Sequence, residues 1–212
     1  MSRKTKKLKS NKTILIVAEG TTEKIYFSQM KSVERILGIT IIPRQAKHSS
    51  LEAVLDTAIK EAKESIYDSI WCVFDRDILL GPRNTPDLQA KLQQAKSLGI
   101  LFADSFPAFE IWFLLHFVLP QQHYSGQKEL IKELEKHIKG YTKNNDWLIK
   151  AKLYVGLRPF LPVAKENRLI LAKRNGKNKS PDCSMCNVFK LFDEIEQLSP
   201  SFCLNNNQNP KK

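Results

Sequence analysis

Three acidic residues stand where their side chains could hold a divalent metal ion and act on phosphate. Glu19 follows the apolar run Thr13–Val17 after one residue, and Asp75 and Asp77 directly follow the run Ile70–Phe74. Residues two apart in an extended segment point to the same side, so both aspartates are predicted to face one cation. Carboxylate oxygens suit Mg²⁺, which takes one or two protein carboxylates together with substrate phosphate oxygens. Glu19 beside that ion could move a proton to or from the attacking or leaving oxygen.

Each of these motifs also has a purely structural interpretation. E-G-x-x-E and D-x-D patterns are common, so Asp75 can be a cap or turn residue and Glu19 a solvated loop acid. Their joint placement favours a metal site, because open parallel sheets bind ligands beyond the carboxyl ends of their strands. Asp104 and Ser105 follow a further predicted strand and are expected at the same edge.

Alternating strands and helices are predicted to position these acids. Gly20 is expected to give conformational freedom to the turn after the first strand, and either following threonine can cap the next helix. Pro43 is expected to end the second strand. The predicted strands cover 13–17, 39–42, 70–74 and 100–103. This alternation predicts an α/β fold with a mainly parallel sheet and helices on both faces.

No strand is predicted after residue 105, where the pattern becomes helical. The helices are predicted at 109–118, 128–138, 146–154, 161–173 and 187–198. The resulting division is a disordered basic arm (1–12), an α/β core (13–105), a helical extension packed on the core (106–200) and a polar tail (201–212).

Glu110 and His116 are polar residues in the otherwise apolar helix 109–118. They are six residues apart and therefore lie about 120° from each other around the axis, so they cannot form a paired ligand set. His116 is interpreted as a buried side chain bonded to a neighbour. For Glu110 two interpretations stay open, a buried structural contact and a reach toward the acidic site.

The formal charge of +12 is unevenly distributed and suggests binding to phosphate. Six basic residues and no acid lie in the first twelve positions, among them Lys4, Lys6 and Lys7. Such an arm attracts nucleic acid in a salt-dependent way, although a solubilising tail explains it equally well. Further candidates for contacting nucleic acid are Arg76, Lys173, Arg174 and Lys177. The last three can also form a solvated face.

The four cysteines and the hydropathy pattern indicate a cytoplasmic protein. Cys183 and Cys186 have the spacing of zinc ligands, but neither a second pair nor a nearby histidine completes the set, and reduced thiols are the simpler interpretation. No apolar run approaches the roughly 20 residues of a membrane span, and no secretory signal follows the basic N-terminus.

Several segments resemble a known family. Residues 14–20 (ILIVAEG) with Glu23, and residues 71–77 (WCVFDRD), resemble the glutamate and D-x-D motifs of the Toprim domain of primases, topoisomerases and some nucleases. More narrowly, residues 107–117 (PAFEIWFLLHF) and 187–191 (NVFKL) resemble the RloB-like family, a branch of Toprim-fold proteins. The resemblance covers about residues 13 to 198. One segment departs from it, because residues 181–187 read PDCSMCN where the family has Asn-Pro-Ser-Thr-Asn.

This resemblance implies a Rossmann-like Toprim fold and a nuclease that depends on Mg²⁺ (or Mn²⁺), found in prokaryotes beside restriction or phage-defence genes. It implies that Glu19 is the general acid or base and that Asp75 and Asp77 are metal ligands. Glu23 either assists or serves the helix dipole. The expected partners are DNA or RNA, such as tRNA or phage nucleic acid, and a defence-system protein such as an ATPase. The alternative is a regulatory or nucleic-acid-binding subunit that does no chemistry itself.

Overall fold

A five-stranded sheet organises the chain. Its strands lie in the order β2-β1-β3-β4-β5, in which the first four are parallel and β5 runs antiparallel to β4. The computed structural model describes residues 11–36, 39–120, 123–178, 184–198 and 202. The strands are β1 (Lys12–Ala18), β2 (Ile39–Gln45), β3 (Ser69–Asp75), β4 (Leu101–Phe106) and β5 (Met185–Cys186). The prediction of an α/β fold with a mainly parallel sheet is confirmed.

Helices cover both faces of this sheet. Leu15 and Val17 of β1 face one apolar cluster with α2 and α3, whereas Ile14 and Ile16 face a second cluster with α1 and the helices of the second half. Burial on both faces explains why β1 is apolar at every position from residue 14 to residue 18 rather than alternating. The helices are α1 (Thr21–Glu34), α2 (Leu51–Glu64), α3 (Pro86–Ser97), α4 (Glu110–Leu115), α5 (Gln127–Leu134), α6 (Asn145–Ala151), α7 (Leu153–Leu157), α8 (Leu161–Asn178) and α9 (Phe189–Leu198).

The second strand continues through its proline. β2 runs to Gln45, and Pro43 pairs in register with Ile16 of β1, so the prediction that Pro43 ends the strand is wrong. β2 lies at the edge of the sheet. An edge strand tolerates proline because one of its two sides makes no ladder hydrogen bonds.

The turn into α1 differs from the prediction in two ways. Gly20 is the N-cap residue, and among the described residues no side chain caps this helix. The predicted threonine cap is therefore wrong, because Thr21 and Thr22 both lie inside the first turn. The backbone of Gly20 is extended (φ −120°, ψ 176°), a conformation open to any residue. The backbone conformation of Gly20 therefore does not itself require glycine.

The helical half contains a short strand and a break that the sequence pattern did not predict. β5 pairs Cys186 with Ser105 of β4, so the prediction that strands end at residue 105 is wrong. Two residues are too few to show a strand periodicity. The predicted helix 146–154 is divided into α6 and α7, because Lys152 adopts a left-handed conformation (φ 48°) that ends the first of them.

Buried contacts attach the helical half to α1. Glu34, at the end of α1, accepts hydrogen bonds from Tyr154 Oη at 2.5 Å and from Arg158 Nε at 2.6 Å. One apolar cluster includes both Val73 of β3 and Trp112 of α4, so residues on either side of position 105 share a core. The division of the chain at that position stays a prediction.

The predicted arm and tail lie mostly outside the described residues. Lys12 belongs to β1, and Phe202 packs on Phe192 with ring centroids 6.3 Å apart. The structure describes neither residues 1–10 nor residues 203–212. Within the described part of the chain, none of the helices combines the length and the apolar character of a bilayer span.

Candidate active site

Glu19 and Asp75 meet at the carboxyl ends of β1 and β3. These strands are parallel neighbours, and Glu19 N continues their pairing by donating a hydrogen bond to Val73 O at 3.0 Å. Asp75 N donates to Glu19 Oε2 at 3.0 Å. Asp75 Oδ1 accepts a hydrogen bond from Phe109 N at 2.7 Å. The two acidic residues are therefore direct neighbours, as their positions after adjacent strands predict.

Asp77 is oriented differently from Asp75. The strand ends at Asp75, and a 3-10 turn runs from Arg76 to Leu80, so the expectation that both aspartates lie in one extended segment is wrong. Asp77 Oδ1 accepts a hydrogen bond from Ile78 N, and its side chain is 56% exposed. Its charge still acts on Glu19, whose pKa is raised first by burial and further by Asp77. Its role as a metal ligand stays a prediction.

Glu23 lies buried in the first turn of α1, next to Gly20. Its side chain is almost inaccessible, and its Oε2 has no hydrogen-bond partner among the described residues. A Cβ atom at position 20 would stand only 2.7 Å from this oxygen. Any side chain at position 20 would therefore require the Glu23 carboxylate to shift.

Glu110 lies fully buried at the start of α4 and is held by three side chains. Glu110 Oε1 accepts a hydrogen bond from Tyr141 Oη at 2.8 Å and lies 3.1 Å from Lys143 Nζ. Gln127 Nε2 donates to Glu110 Oε2 at 3.3 Å. The charge of Glu110 acts on both Glu23 and Asp75. Each of the two interpretations left open for Glu110 holds in part. Glu110 makes a buried structural contact, and its charge also acts on the acidic site.

We call Glu19, Glu23, Asp75 and Glu110 the carboxylate cluster, and the charges within it raise the pKa of Glu23 and of Asp75. Burial and the charges of Glu110 and Glu19 raise the pKa of Glu23 to about 7. Burial raises the pKa of Asp75 well above its usual range, and the other three acids add to that rise. Burial lowers the pKa of Lys143, but the surrounding carboxylates outweigh it and raise that pKa, so the ammonium form is retained.

A family model described as RloB-like protein matches residues 14–195. The chain belongs to the RloB-like family. The comparison with curated proteins found no match, and the comparison with solved structures found none either. The matched span of this RloB-like protein contains the whole carboxylate cluster together with Tyr141 and Lys143.

Lys143 and Tyr141 are the site residues of this RloB-like protein that sequence reasoning missed. Both lie in the segment between α5 and α6, after Gly140, whose positive φ of 71° turns the chain there. No motif distinguishes Lys143 from the many other lysines in the sequence. This segment packs onto Glu110 in the tertiary structure, and only this packing brings the ammonium group of Lys143 to the carboxylate cluster.

The carboxylate cluster of the RloB-like protein has the ligand chemistry that a divalent cation requires. It offers hard oxygen ligands, one of which, Glu23 Oε2, is buried without a partner among the described residues. The charge of Lys143 lowers the pKa of Glu19, Glu23 and Asp75, and its Nζ lies 3.1 Å from Glu110 Oε1. Within the described ranges, however, no three His, Cys, Asp or Glu side chains have a ready metal-binding arrangement. This set fits Mg²⁺ held by two carboxylates, because Mg²⁺ completes its shell with water and phosphate.

The predicted nucleic-acid contacts are spread over the RloB-like fold. Arg76 Nη1 lies 3.0 Å from Asp104 Oδ2, beside the carboxylate cluster. Lys173 is exposed on α8, and Arg174 has two buried guanidinium nitrogens that lack a partner among the described residues. The side chain of Lys177 lies outside the described residues, as do Lys4, Lys6 and Lys7.

His116 and Cys186 lie in the core rather than at the site. His116 Nδ1 bonds Trp112 O at 2.8 Å, and burial lowers the pKa of His116 to about 4. This matches its interpretation as a buried, bonded side chain. Ser105 Oγ lies 3.9 Å from Cys186 Sγ, and burial raises the pKa of Cys186 to about 12. Cys183 lies outside the described residues.

Proposed function

We propose that this RloB-like protein is a divalent-metal-dependent nuclease that hydrolyses phosphodiester bonds of DNA or RNA. The observation that carries the proposal is the convergence of four carboxylates and one lysine at the carboxyl ends of β1 and β3. Parallel sheets bind ligands at this edge. Sites that combine acids with one cation are suited to phosphate chemistry, because they offer metal ligands, proton carriers and a charge for the phosphate.

Glu19 and Asp75 are the proposed holders of Mg²⁺ or Mn²⁺, since they lie side by side and Asp75 is fixed by Phe109 N. When bound, the metal would stabilise negative charge on the non-bridging phosphate oxygens. Asp77 is exposed to solvent, and its charge acts on Glu19. It is therefore proposed as an additional metal ligand on the solvent side of the site.

Glu23 is the proposed proton carrier. Its pKa of about 7 means that it can accept or release a proton near neutral pH, which is the range in which a general acid or base is most effective. Glu110 holds Lys143 at 3.1 Å, with Tyr141 and Gln127 fixing the carboxylate. Lys143 is 39% exposed, so its ammonium group can contact a phosphate while it stays paired with Glu110.

We further propose that the enzyme works in a prokaryotic defence or restriction context and acts on invading nucleic acid or tRNA. A partner protein such as an ATPase would control it. Membership of the RloB-like family supports this setting.

The test is a cleavage panel of tRNA, single-stranded DNA and duplex DNA with Mg²⁺, Mn²⁺ or EDTA. Asp75→Asn and Glu19→Gln are expected to lower the rate by about 10²–10⁴-fold while the chain stays folded. Asp87→Asn, at an exposed acid of α3, is the matched control and keeps the rate of the wild type.

Two results would contradict the proposal. One is a wild type that cleaves none of the substrates in any metal, and the other is an Asp75→Asn chain as active as the control. Nucleic-acid binding that persists undiminished in EDTA, without turnover in any metal, would identify a binding or regulatory subunit instead.

A further inference from the structure

A cavity of about 430 Å³ is lined by residues of α8, β5 and α9 together with Arg76. Its size is within the range of small-molecule pockets. Arg76 lines it and directly follows Asp75, so the cavity opens beside the candidate active site. None of its lining residues belongs to the carboxylate cluster, and the proposed chemistry does not account for it.

One wall of the cavity carries a flat cationic and aromatic surface. Arg168 and Ala172 lie one turn apart on α8 and both line the cavity. The guanidinium carbon of Arg168 stands 3.3 Å from the ring centroid of Phe189, and Asp193 Oδ2 holds the same guanidinium at 3.1 Å. Nucleobases stack on arginine planes and aromatic rings. This wall therefore favours a planar aromatic ligand.

Two buried polar atoms in the same wall lack partners among the described residues. They are Arg168 Nε, a donor, and Asn175 Oδ1, an acceptor. The side-chain amide of Asn175 is held in one orientation, because its Nδ2 donates a hydrogen bond to Ser184 O at 2.8 Å. Buried polar groups in folded proteins are normally hydrogen-bonded. Both residues line the cavity, so these two atoms add polarity to the wall against which a ligand would lie.

The charges at the mouth suit a phosphate. Arg76 is fixed by Asp104, whose other oxygen accepts from Asn187 Nδ2 at 2.9 Å. Lys190 is exposed and lines the cavity with them. A cavity that combines a guanidinium stacked on an aromatic ring with the basic side chains of Arg76 and Lys190 matches a nucleotide, which carries both a stacking base and an anionic phosphate.

We propose that this cavity binds one unstacked nucleotide of the substrate strand, with its base against Arg168 and its phosphate toward Arg76 and Lys190. This inference rests on the proposed function, since an adjoining phosphate would then be presented to the carboxylate cluster. The cavity would select the base, whereas the cluster acts on the backbone.

The test measures binding in EDTA, so that no cleavage interferes. The probes are the four common nucleoside 5′-monophosphates and a short single-stranded oligonucleotide, with the full chain observed by calorimetry. Ala172→Trp fills the cavity from an exposed helix position, and Leu169→Trp, also exposed on α8 but outside the cavity, is its matched control.

At least one monophosphate is expected to bind both the wild type and the Leu169→Trp chain. It should bind the Ala172→Trp chain at least about tenfold more weakly, because the loss of one stacked base has an effect of this size. The oligonucleotide is expected to displace it. Failure of every monophosphate to bind, or equal binding by both variants, would overturn the proposal. A bound monophosphate that the oligonucleotide does not displace would assign the cavity to a free nucleotide and overturn the substrate role. Cleavage is measured separately in Mg²⁺, so a chain that binds nucleotides as expected but cleaves nothing contradicts the proposed function alone.

Discussion

Replacing Glu23 by glutamine should change how the stability of the protein depends on pH. Glu23 is buried with one unpartnered oxygen, and its pKa rises from 4.5 to about 7 on folding. The folded chain therefore holds this proton more tightly than the unfolded chain does. Between pH 4.5 and pH 7 the unfolded state loses the proton first, so the free energy of unfolding falls as the pH rises through that window.

The size of the effect follows from the pKa difference. One pKa unit corresponds to about 1.4 kcal/mol, so ionised Glu23 costs the folded state about 3 kcal/mol above pH 7. Most of this cost appears between pH 5 and pH 8. Glutamine cannot ionise, and the Glu23→Gln chain should gain about 2–3 kcal/mol relative to the wild type between those two pH values.

The assay is urea unfolding of both chains at pH 5 and pH 8 in EDTA. Glu19, Asp75, Glu110 and Lys143 surround Glu23 in both chains, so the difference between the two chains reports Glu23 together with its electrostatic coupling to these neighbours. Glu166→Gln, at an exposed position on α8, should follow the wild type at both pH values. An unfolding free energy for Glu23→Gln that runs parallel to the wild type from pH 5 to pH 8 would refute the reasoning.

Two further predictions concern the neighbours of the cluster. Gly20→Ala should displace the Glu23 carboxylate, because the new Cβ would stand 2.7 Å from Oε2. Cleavage should then fall by up to about 10²-fold. A cleavage rate equal to that of the wild type would contradict the idea that glycine leaves space for this carboxylate. Lys143→Met should lower cleavage by about 10²-fold and, because it leaves the fully buried Glu110 without its cation, destabilise the fold by about 3 kcal/mol. The control is Lys139→Met, an exposed lysine earlier in the same segment, and equal losses of activity in both variants would exclude a specific role for Lys143.

The sequence alone was sufficient to locate Glu19 and Asp75 at one edge of the sheet. β1 and β3 are buried on both faces, so their apolar runs are continuous and their ends are visible as the first polar residues. Parallel strands joined by helices place those ends on the same side. The neighbouring positions of Glu19 and Asp75 follow from local patterns and general rules of topology.

The same local reasoning failed where long-range contacts outweigh local preference. Pro43 continues β2 because that strand lies at the edge, and strand order is not visible in the residues of β2. Asp77 does not continue the extended segment of Asp75, because the chain enters a 3-10 turn directly after the strand. β5 exists because the edge of β4 is available to two residues from the far end of the chain.

The electrostatic character of the site was decided by the tertiary structure alone. The sequence determined that acids follow the strands and that glycine separates Glu19 from the first turn of α1. The folding of the segment around Lys143 onto Glu110 brought the lysine to the carboxylates, and burial beneath the packed helices raised the pKa of Glu23 and Asp75. The physical reason is that ionisation depends on removal from water and on the distances between charges, and both arise only when distant parts of the chain pack together.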